Sequence, residues 1–144
     1  MKKDTPKQLL DSPKAVRVLV NSFYEKVQVD PLIGPIFMDV AEVDWSSHLP
    51  KMYAFWESLI LGNGAYDGHP FRPHLLVNQR YPLRTEHFDR WLMLFSATLT
   101  EHFTGETADE VRQRATQIAL VWSTKLAHIN GSDSGRETAA LITP

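Results

Sequence analysis

Four long stretches of this 144-residue chain repeat their apolar residues every three to four positions, and this period limits the fold more than any other feature. In the first stretch Val16, Val20, Phe23 and Val27 fall on one side of a helix. The four stretches run over residues 13–28, 44–61, 85–103 and 107–128. The pattern predicts a single all-α domain of four long helices.

Start signals precede each of these helices. Ser12 is a capping hydroxyl followed by a proline, Asp44 can cap the second helix, and Thr85 with Glu86 opens the third. Thr107 and Glu110 have the spacing of a capping box for the fourth. The inward residues expected in the later three helices are His48, Met52, Phe55 and Leu59, then Phe88, Trp91, Phe95 and Leu99, then Val111, Ala115, Ile118 and Trp122.

The segment between Gly62 and Thr85 holds three glycines and three prolines, and we expect it to be irregular with one helical turn around Arg72–Val77. It is too long for an idle loop and too apolar for a disordered one, so it should pack against the domain. Residues 31–43 predict a short turn or small helix with Phe37 buried.

Composition removes several classes of function. The chain has no cysteine, which excludes disulfides, Cys-ligated zinc, iron–sulfur clusters and a covalently attached c-type haem. A net charge of −2 argues against nucleic-acid or anionic-membrane partners, and no apolar run approaches the ~20 residues that span a bilayer. We expect a cytoplasmic protein whose residues 13–128 fold, with mobile extensions at 1–12 and 129–144.

The six histidines do not have the spacing of a zinc site, and no nucleophile elbow is present. His48 lies on an apolar helical face, where a core or rim role is the commoner explanation. His74 lies in the irregular segment, where an exposed loop residue is the commoner explanation. His69, His87, His102 and His128 are interpreted as structural or solvated.

Several segments in order resemble the group III truncated haemoglobins over roughly residues 13–128. They are FYEKV at 23–27, PIF at 35–37, WSSH at 45–48, FW at 55–56, GAYDGHP at 64–70, His74, and FDRWLMLF at 88–95. The resemblance implies a shortened globin fold, in which one pair of helices packs over another pair and a non-covalent haem b lies between the two pairs. It also implies that His74 is the iron ligand on the proximal side of the haem.

An imidazole ligand needs an acceptor for its second ring nitrogen, which fixes the tautomer. Pro73 and Leu75 flank His74 and carry no carboxylate, so the expected acceptor is a backbone carbonyl. The resemblance implies that the opposite, distal side carries a polar set formed by Tyr24, His48 and Trp91. Taken without the resemblance, Tyr24 reads as a rim residue and Trp91 as a core residue.

The resemblance further implies an apolar wall and a basic rim around the haem. The residues matched to the wall are Phe37, Met52, Phe55 and Phe95, for which plain core packing is the alternative. Lys51 and Arg80 are candidate partners of the haem propionates, with Arg72 and Arg84 as weaker ones.

The implied chemistry is binding of O2, NO or CO at an open iron position. Its sharpest form is NO dioxygenation, with a separate reductase as electron donor. A peroxidase-like activity with His48 as the acid–base group is the nearest rival. A sensor or carrier for oxygen transport without turnover, and a haem-free helical interaction module, remain as other classes. The chain is expected to be a monomer or weak dimer.

Overall fold

The computed structural model describes residues 6–131, and helices dominate this part of the chain. The helices are α1 (Pro13–Val29), α2 (Trp45–Leu61), α3 (Phe71–Arg80), α4 (Thr85–His102) and α5 (Glu106–Ile129), with a π-helical turn at Ile36–Val40. Two short strands, β1 (Gln8–Leu9) and β2 (Phe103–Thr104), pair in parallel. The predicted all-α class is confirmed.

The first two long helices begin where the sequence predicts. Ser12 Oγ accepts the Ala15 N–H at 3.1 Å, and Asp44 Oδ1 accepts the Ser46 N–H at 3.2 Å. Pro50 lies in the second turn of α2 without ending it. α2 ends at Gly62, whose φ of +67° favours glycine.

The starts of α4 and α5 differ from the predicted caps. Arg84 caps α4, and its backbone N–H donates to His87 Nδ1 at 2.8 Å, which gives the buried His87 the expected structural role. α5 begins at Glu106, directly after Gly105 with φ of +101°. The predicted capping box of Thr107 and Glu110 is wrong, because both residues already lie inside the helix.

The segment between Gly62 and Thr85 is irregular over residues 62–70, as predicted, but the single turn expected around Arg72–Val77 is a complete ten-residue helix, α3, so the predicted helix length is wrong. Pro70 is its N-cap and Pro73 falls in its first turn, where a missing N–H leaves no helical bond unmade. Past its end, Asn78 Oδ1 accepts the Leu83 N–H at 2.8 Å. The prolines therefore start this helix rather than break it.

The N-terminal segment is packed over residues 6–12, in contrast to the mobile extension predicted for 1–12. Gln8 and Leu9 pair with β2, and the side chain of Leu10 is fully buried. At the other end α5 continues to Ile129, one residue into the predicted tail. Residues 1–5 and 132–144, where the other mobile-end predictions fall, lie outside the described residues.

The core is built mainly by α1, α4 and α5. The predicted inward residues Phe23, Phe88, Phe95, Leu99, Val111 and Ala115 are buried, whereas Trp91, Ile118 and Trp122 are half-buried. The expected inward face of α2 is only half-buried, and Phe37, predicted to be buried, is half-buried too. Each of α2 and α3 has one buried residue, Trp56 and Asn78. The apolar faces of α2 and α3 therefore lie at the edge of the core and remain partly exposed.

Within the described residues, no helix has the length and hydropathy required to cross a bilayer.

Candidate functional site

His74 lies on α3 with one ring nitrogen engaged. Its Nδ1 is 2.9 Å from the carbonyl oxygen of Pro70, one turn earlier in the chain. A carbonyl only accepts, so Nδ1 carries the proton and Nε2 keeps a free lone pair. Burial lowers the pKa of His74, with the Pro70 hydrogen bond acting in the opposite direction. The side chain is thus a neutral imidazole whose Nε2 can bind a metal, and the predicted carbonyl acceptor is confirmed.

α5 supports the helix that carries His74. The Trp122 ring lies against the His74 ring at 4.6 Å between centroids and against the Phe71 ring at 5.8 Å. Lys125 Nζ sits 4.8 Å above the ring of Phe71. These contacts restrict where the His74 imidazole can turn.

A second link joins the other end of α3 to the end of α5. The side-chain amides of Asn78 and Asn130 donate to each other's oxygens at 2.8 and 3.1 Å. Asn78 lies one turn after His74 and is buried. α3 is therefore fixed on both sides of the candidate ligand.

Four aromatic rings gather where α1, the π-helical turn and α2 meet. The Tyr24 ring lies 5.3 Å from His48, 5.4 Å from Trp45 and 5.9 Å from Phe37. The Trp45 and His48 rings are 5.5 Å apart. The structure therefore brings the predicted residues Tyr24 and His48 together, and adds Trp45 to them.

Polar atoms of this aromatic cluster lack hydrogen bonds within the described part of the chain. Trp45 Nε1 and His48 Nε2 are buried and have no hydrogen-bond partner in the described part of the chain. Burial lowers the pKa of His48 to about 4, with smaller contributions from the charge that His74 carries when protonated and from the charge of Lys51. Burial also raises the pKa of the Tyr24 phenol. At neutral pH the cluster holds a neutral imidazole and a protonated phenol.

Trp91 lies beside the aromatic cluster. Its ring stacks on Phe95 at 5.3 Å with an interplanar angle of 9°, and its edge meets Phe23 at 5.6 Å. Phe23 in turn contacts Tyr24 at 4.8 Å. Among the ring contacts of the described residues, Trp91 is linked to Tyr24 and His48 only through Phe23.

Trp45 is the site residue that the sequence reasoning missed. It is the first residue of α2, a position that suggests an exposed side chain, yet its Nε1 is buried. Its place one turn before His48 was the available signal, since residues three apart share a helical face.

Of the four predicted wall residues, Phe37 belongs to the aromatic cluster, and the other three divide into two groups. Met52 and Phe55 are half-buried on the face of α2 that also carries His48. Phe95 is fully buried and stacks on Trp56 at 4.8 Å as well as on Trp91. Phe95 therefore supports the site from the core, while the α2 residues form its surface.

The basic candidates lie on the surface. Lys51 is exposed on α2, and its charge reaches His48. Arg80 is exposed in the last turn of α3, and Arg72 and Arg84 are exposed as well. Within residues 6–131, none of these four side chains forms an ion pair with a carboxylate. As far as residues 6–131 are concerned, all four are available to an anionic group.

These residues suit a haem. His74 offers one unprotonated nitrogen, and in the described chain no three histidine or acidic side chains converge to hold a metal ion without a cofactor. Protonation of His74 would lower the pKa of His48, which places the two imidazoles within electrostatic reach of each other. A single free imidazole, half-buried apolar faces and buried polar atoms on another helix match the needs of a flat, mainly apolar iron cofactor.

Comparison with known proteins identifies the family of the chain. Residues 10–123 match the bacterial-like globin family. The chain is 33% identical over 121 residues to the group 3 truncated hemoglobin ctb of Campylobacter jejuni, covering 82% of this chain and 93% of that protein. It also superposes on the crystal structure of a group III truncated hemoglobin from C. jejuni with a TM-score of 0.72 and 32% identity, over 88% of this chain and 95% of the other.

Proposed function

The chain belongs to the bacterial-like globins as a group III truncated haemoglobin, a haem-binding globin for small diatomic ligands, and we propose that His74 binds the haem iron. The observation that carries the proposal is the hydrogen bond from His74 Nδ1 to the Pro70 carbonyl, which leaves Nε2 as a neutral donor atom. With no cysteine in the chain, we infer a non-covalently held haem b.

Bound haem would supply an iron with one position available to O2, NO or CO. On the distal side, Tyr24 would donate a hydrogen bond from its phenol, because burial keeps that group protonated. His48 would stand beside it as a neutral imidazole. Trp91, whose ring contacts Phe23, would be the third distal residue. Phe37, Met52, Phe55 and Phe95 would limit the access of water.

The proposed reaction is NO dioxygenation. NO, O2 and one electron give nitrate, and the electron comes from a separate reductase protein. Donation from Tyr24 would hold a partly negative O2 in the pocket long enough for NO to arrive. Lys51 and Arg80 are the proposed partners of the haem propionates, with Arg72 and Arg84 as alternatives.

One observation favours a peroxidase-like activity as the second candidate. His48 is neutral at neutral pH because its pKa is lowered to about 4. Its Nε2 is buried, has no partner among the described residues, and can therefore accept a proton. A peroxide needs such an acceptor when it binds, and the same group can return the proton to the leaving oxygen.

The first experiment tests haem binding and its ligand. Purified protein is reconstituted with hemin, and the wild type is expected to show a Soret band that shifts when CO binds the reduced form. The His74→Gly variant is expected to lose the axial bond and release haem faster. His69→Gly changes an exposed histidine and should behave as the wild type. The assignment is wrong if His74→Gly keeps the wild-type spectrum and haem release rate.

The second experiment tests the reaction. The O2-loaded protein is mixed with NO in a stopped-flow instrument, and nitrate is measured. Stoichiometric nitrate within the mixing time supports the dioxygenase. Slow decay without nitrate removes that reaction and leaves a carrier or sensor, while turnover of H2O2 with a reducing dye would support the peroxidase.

A further inference from the structure

Two unsatisfied polar atoms lie in neighbouring rings of the aromatic cluster. Trp45 Nε1 and His48 Nε2 are both buried, and neither has a partner among the described residues. Their rings stand edge to face, with 5.5 Å between centroids and an interplanar angle of 84°. No direct hydrogen bond joins the two nitrogens. Since a buried polar group without a partner destabilises the fold, two of them side by side require an explanation.

The chemistry of the two atoms defines what can satisfy both. An indole N–H only donates, so the partner of Trp45 must accept. His48 is neutral at physiological pH, and its Nε2 accepts when the proton is on Nδ1. A water molecule meets both demands, because its oxygen accepts from the indole while one of its hydrogens goes to the imidazole.

The surroundings supply a third polar group. The Tyr24 ring lies 5.4 Å from Trp45 and 5.3 Å from His48, and no described residue hydrogen-bonds its hydroxyl. A buried water makes about three hydrogen bonds, and the phenol oxygen is the further acceptor that this cluster offers. The other neighbour, Phe37, is apolar and stacks on Trp45 at 6.1 Å.

We propose that Trp45 Nε1 and His48 Nε2 share one bound water molecule, and that Trp45 thereby positions the His48 imidazole. The water holds His48 in the Nδ1-protonated tautomer. Trp45 is a positioning residue, since it acts on the pocket through His48. The inference rests on the proposed haem function for its effect on ligands, but the water site itself rests only on the two buried nitrogens.

Trp45→Phe tests the proposal because it keeps an aromatic ring and removes the indole N–H together with the pyrrole part of the side chain, a loss of volume that the control variant reproduces. The protein is studied in its reduced, CO-bound form, where the His48 tautomer can be read from long-range 1H–15N NMR. Wild type is expected to show a single tautomer, and a cross peak between the Trp45 indole N–H and a slowly exchanging water. The variant is expected to show mixed tautomers, broadened infrared bands of bound CO, and O2 release about three- to tenfold faster.

Trp56→Phe is the matched control, since Trp56 is a buried tryptophan of the same helix that stacks on Phe95. It should leave the His48 tautomer unchanged. An unchanged tautomer and CO band in Trp45→Phe would overturn the proposal, as would a wild-type indole N–H without a water cross peak.

Failure of the proposed haem function can be distinguished from failure of the water-site proposal, because different measurements test the two. If hemin produces no Soret band, the haem assignment falls. The indole–water cross peak and the His48 tautomer are then recorded on the full chain without haem, and their presence or absence still decides the water site.

Discussion

Tyr24 combines a buried ring with a hydroxyl that meets no hydrogen-bond partner among the described residues. Because burial raises its pKa, the phenol remains a donor over the whole physiological range. Tyr24→Phe removes this donor while preserving the ring contacts with Phe23 and His48. We expect O2 release to become about 5- to 150-fold faster, as loss of a hydrogen bond to a partly charged ligand costs about 1–3 kcal/mol.

The measurement is O2 dissociation after mixing the oxygenated protein with dithionite. Tyr53→Phe is the control, because Tyr53 is a half-buried tyrosine of α2 whose hydroxyl donates to Asn21. An unaltered release rate in Tyr24→Phe would remove this residue from the distal donors.

Asp30 is a buried carboxylate at the end of α1. Its Oδ1 accepts from Arg90 Nη1 at 2.7 Å, and its Oδ2 accepts the backbone N–H groups of Leu32 and Ile33, each at 3.0 Å. Burial alone would raise the pKa of Asp30, but the hydrogen bonds from Ile33, Arg90 and Leu32 outweigh it and lower the pKa. The charged form is thus the one that the fold favours.

This lowered pKa predicts an acid-sensitive stability. The stabilising contribution of Asp30 is present above its unfolded pKa of about 3.9 and is lost as the pH falls through the lower folded value. Asp30→Asn should therefore cost about 2 kcal/mol of unfolding free energy at pH 6, and less at pH 3. Urea unfolding at both pH values measures the difference.

Asp39→Asn changes an exposed carboxylate in the π-helical turn and serves as the control for Asp30. It should change the unfolding free energy by less than about 0.5 kcal/mol. A cost for Asp30→Asn that is equal at pH 6 and pH 3 would contradict the prediction.

Individual residues were predictable where the cause lies nearby in the chain. The acceptor of His74 could be inferred because its neighbours carry no carboxylate and a turn-distant carbonyl is always available. Trp45 could not be placed, because whether its indole points inward depends on Tyr24 and Phe37, which come from other elements. The sequence therefore predicted the hydrogen-bond acceptor of the proposed ligand His74, but only part of the aromatic cluster.

α3 shows, for a whole helix, the same difference between what nearby residues determine and what distant residues determine. Glycines and prolines suggested irregular chain with a single helical turn, yet ten residues of the segment form a helix. Its stability comes from partners distant in sequence: Trp122 for Phe71 and His74, and Asn130 for Asn78. Local propensity carries no information about such partners, which lie about 50 residues away.

Asn78→Ala tests how α3 is held. Removing the amide leaves the Leu83 N–H and the Asn130 amide without their partner, which should cost about 1–3 kcal/mol of unfolding free energy. Haem release should quicken, since the helix carrying His74 loses its distant anchor. Haem transfer to an acceptor protein and urea unfolding measure the two effects.

Gln79→Ala is the control for this helix, because Gln79 is exposed. A double-mutant cycle adds a sharper test. In the Asn130→Ala background, Asn78→Ala should cost less than in the wild type, because the reciprocal amide pair is already broken. Additive effects would show that the two amides do not act together.

At the scale of the whole molecule, periodicity predicted four long helices and most of the core. This was possible because the buried residues of each helix all lie within one continuous stretch of sequence. It could not predict the pairing of Gln8 with Phe103 and of Leu9 with Thr104, which joins parts of the chain 95 residues apart. This pairing brings the N-terminal segment against the turn between α4 and α5. The domain therefore starts before α1, with Leu10 in its core.

Leu10→Ala tests this extended boundary. The Leu10 side chain is fully buried, whereas its neighbour Leu9 is 56% exposed, so the two positions form a matched pair. Truncating a buried leucine leaves a cavity and costs about 2–5 kcal/mol, while truncating an exposed one costs under about 0.5 kcal/mol. We expect Leu10→Ala to lower the urea midpoint strongly and Leu9→Ala to leave it nearly unchanged. Equal midpoints for the two variants would mean that residues 6–12 add nothing to the core and that the domain begins at α1. Because Leu10 lies in the segment before α1, and not on the helices that carry Tyr24, His48 and His74, the Soret band of folded Leu10→Ala protein should match the wild type.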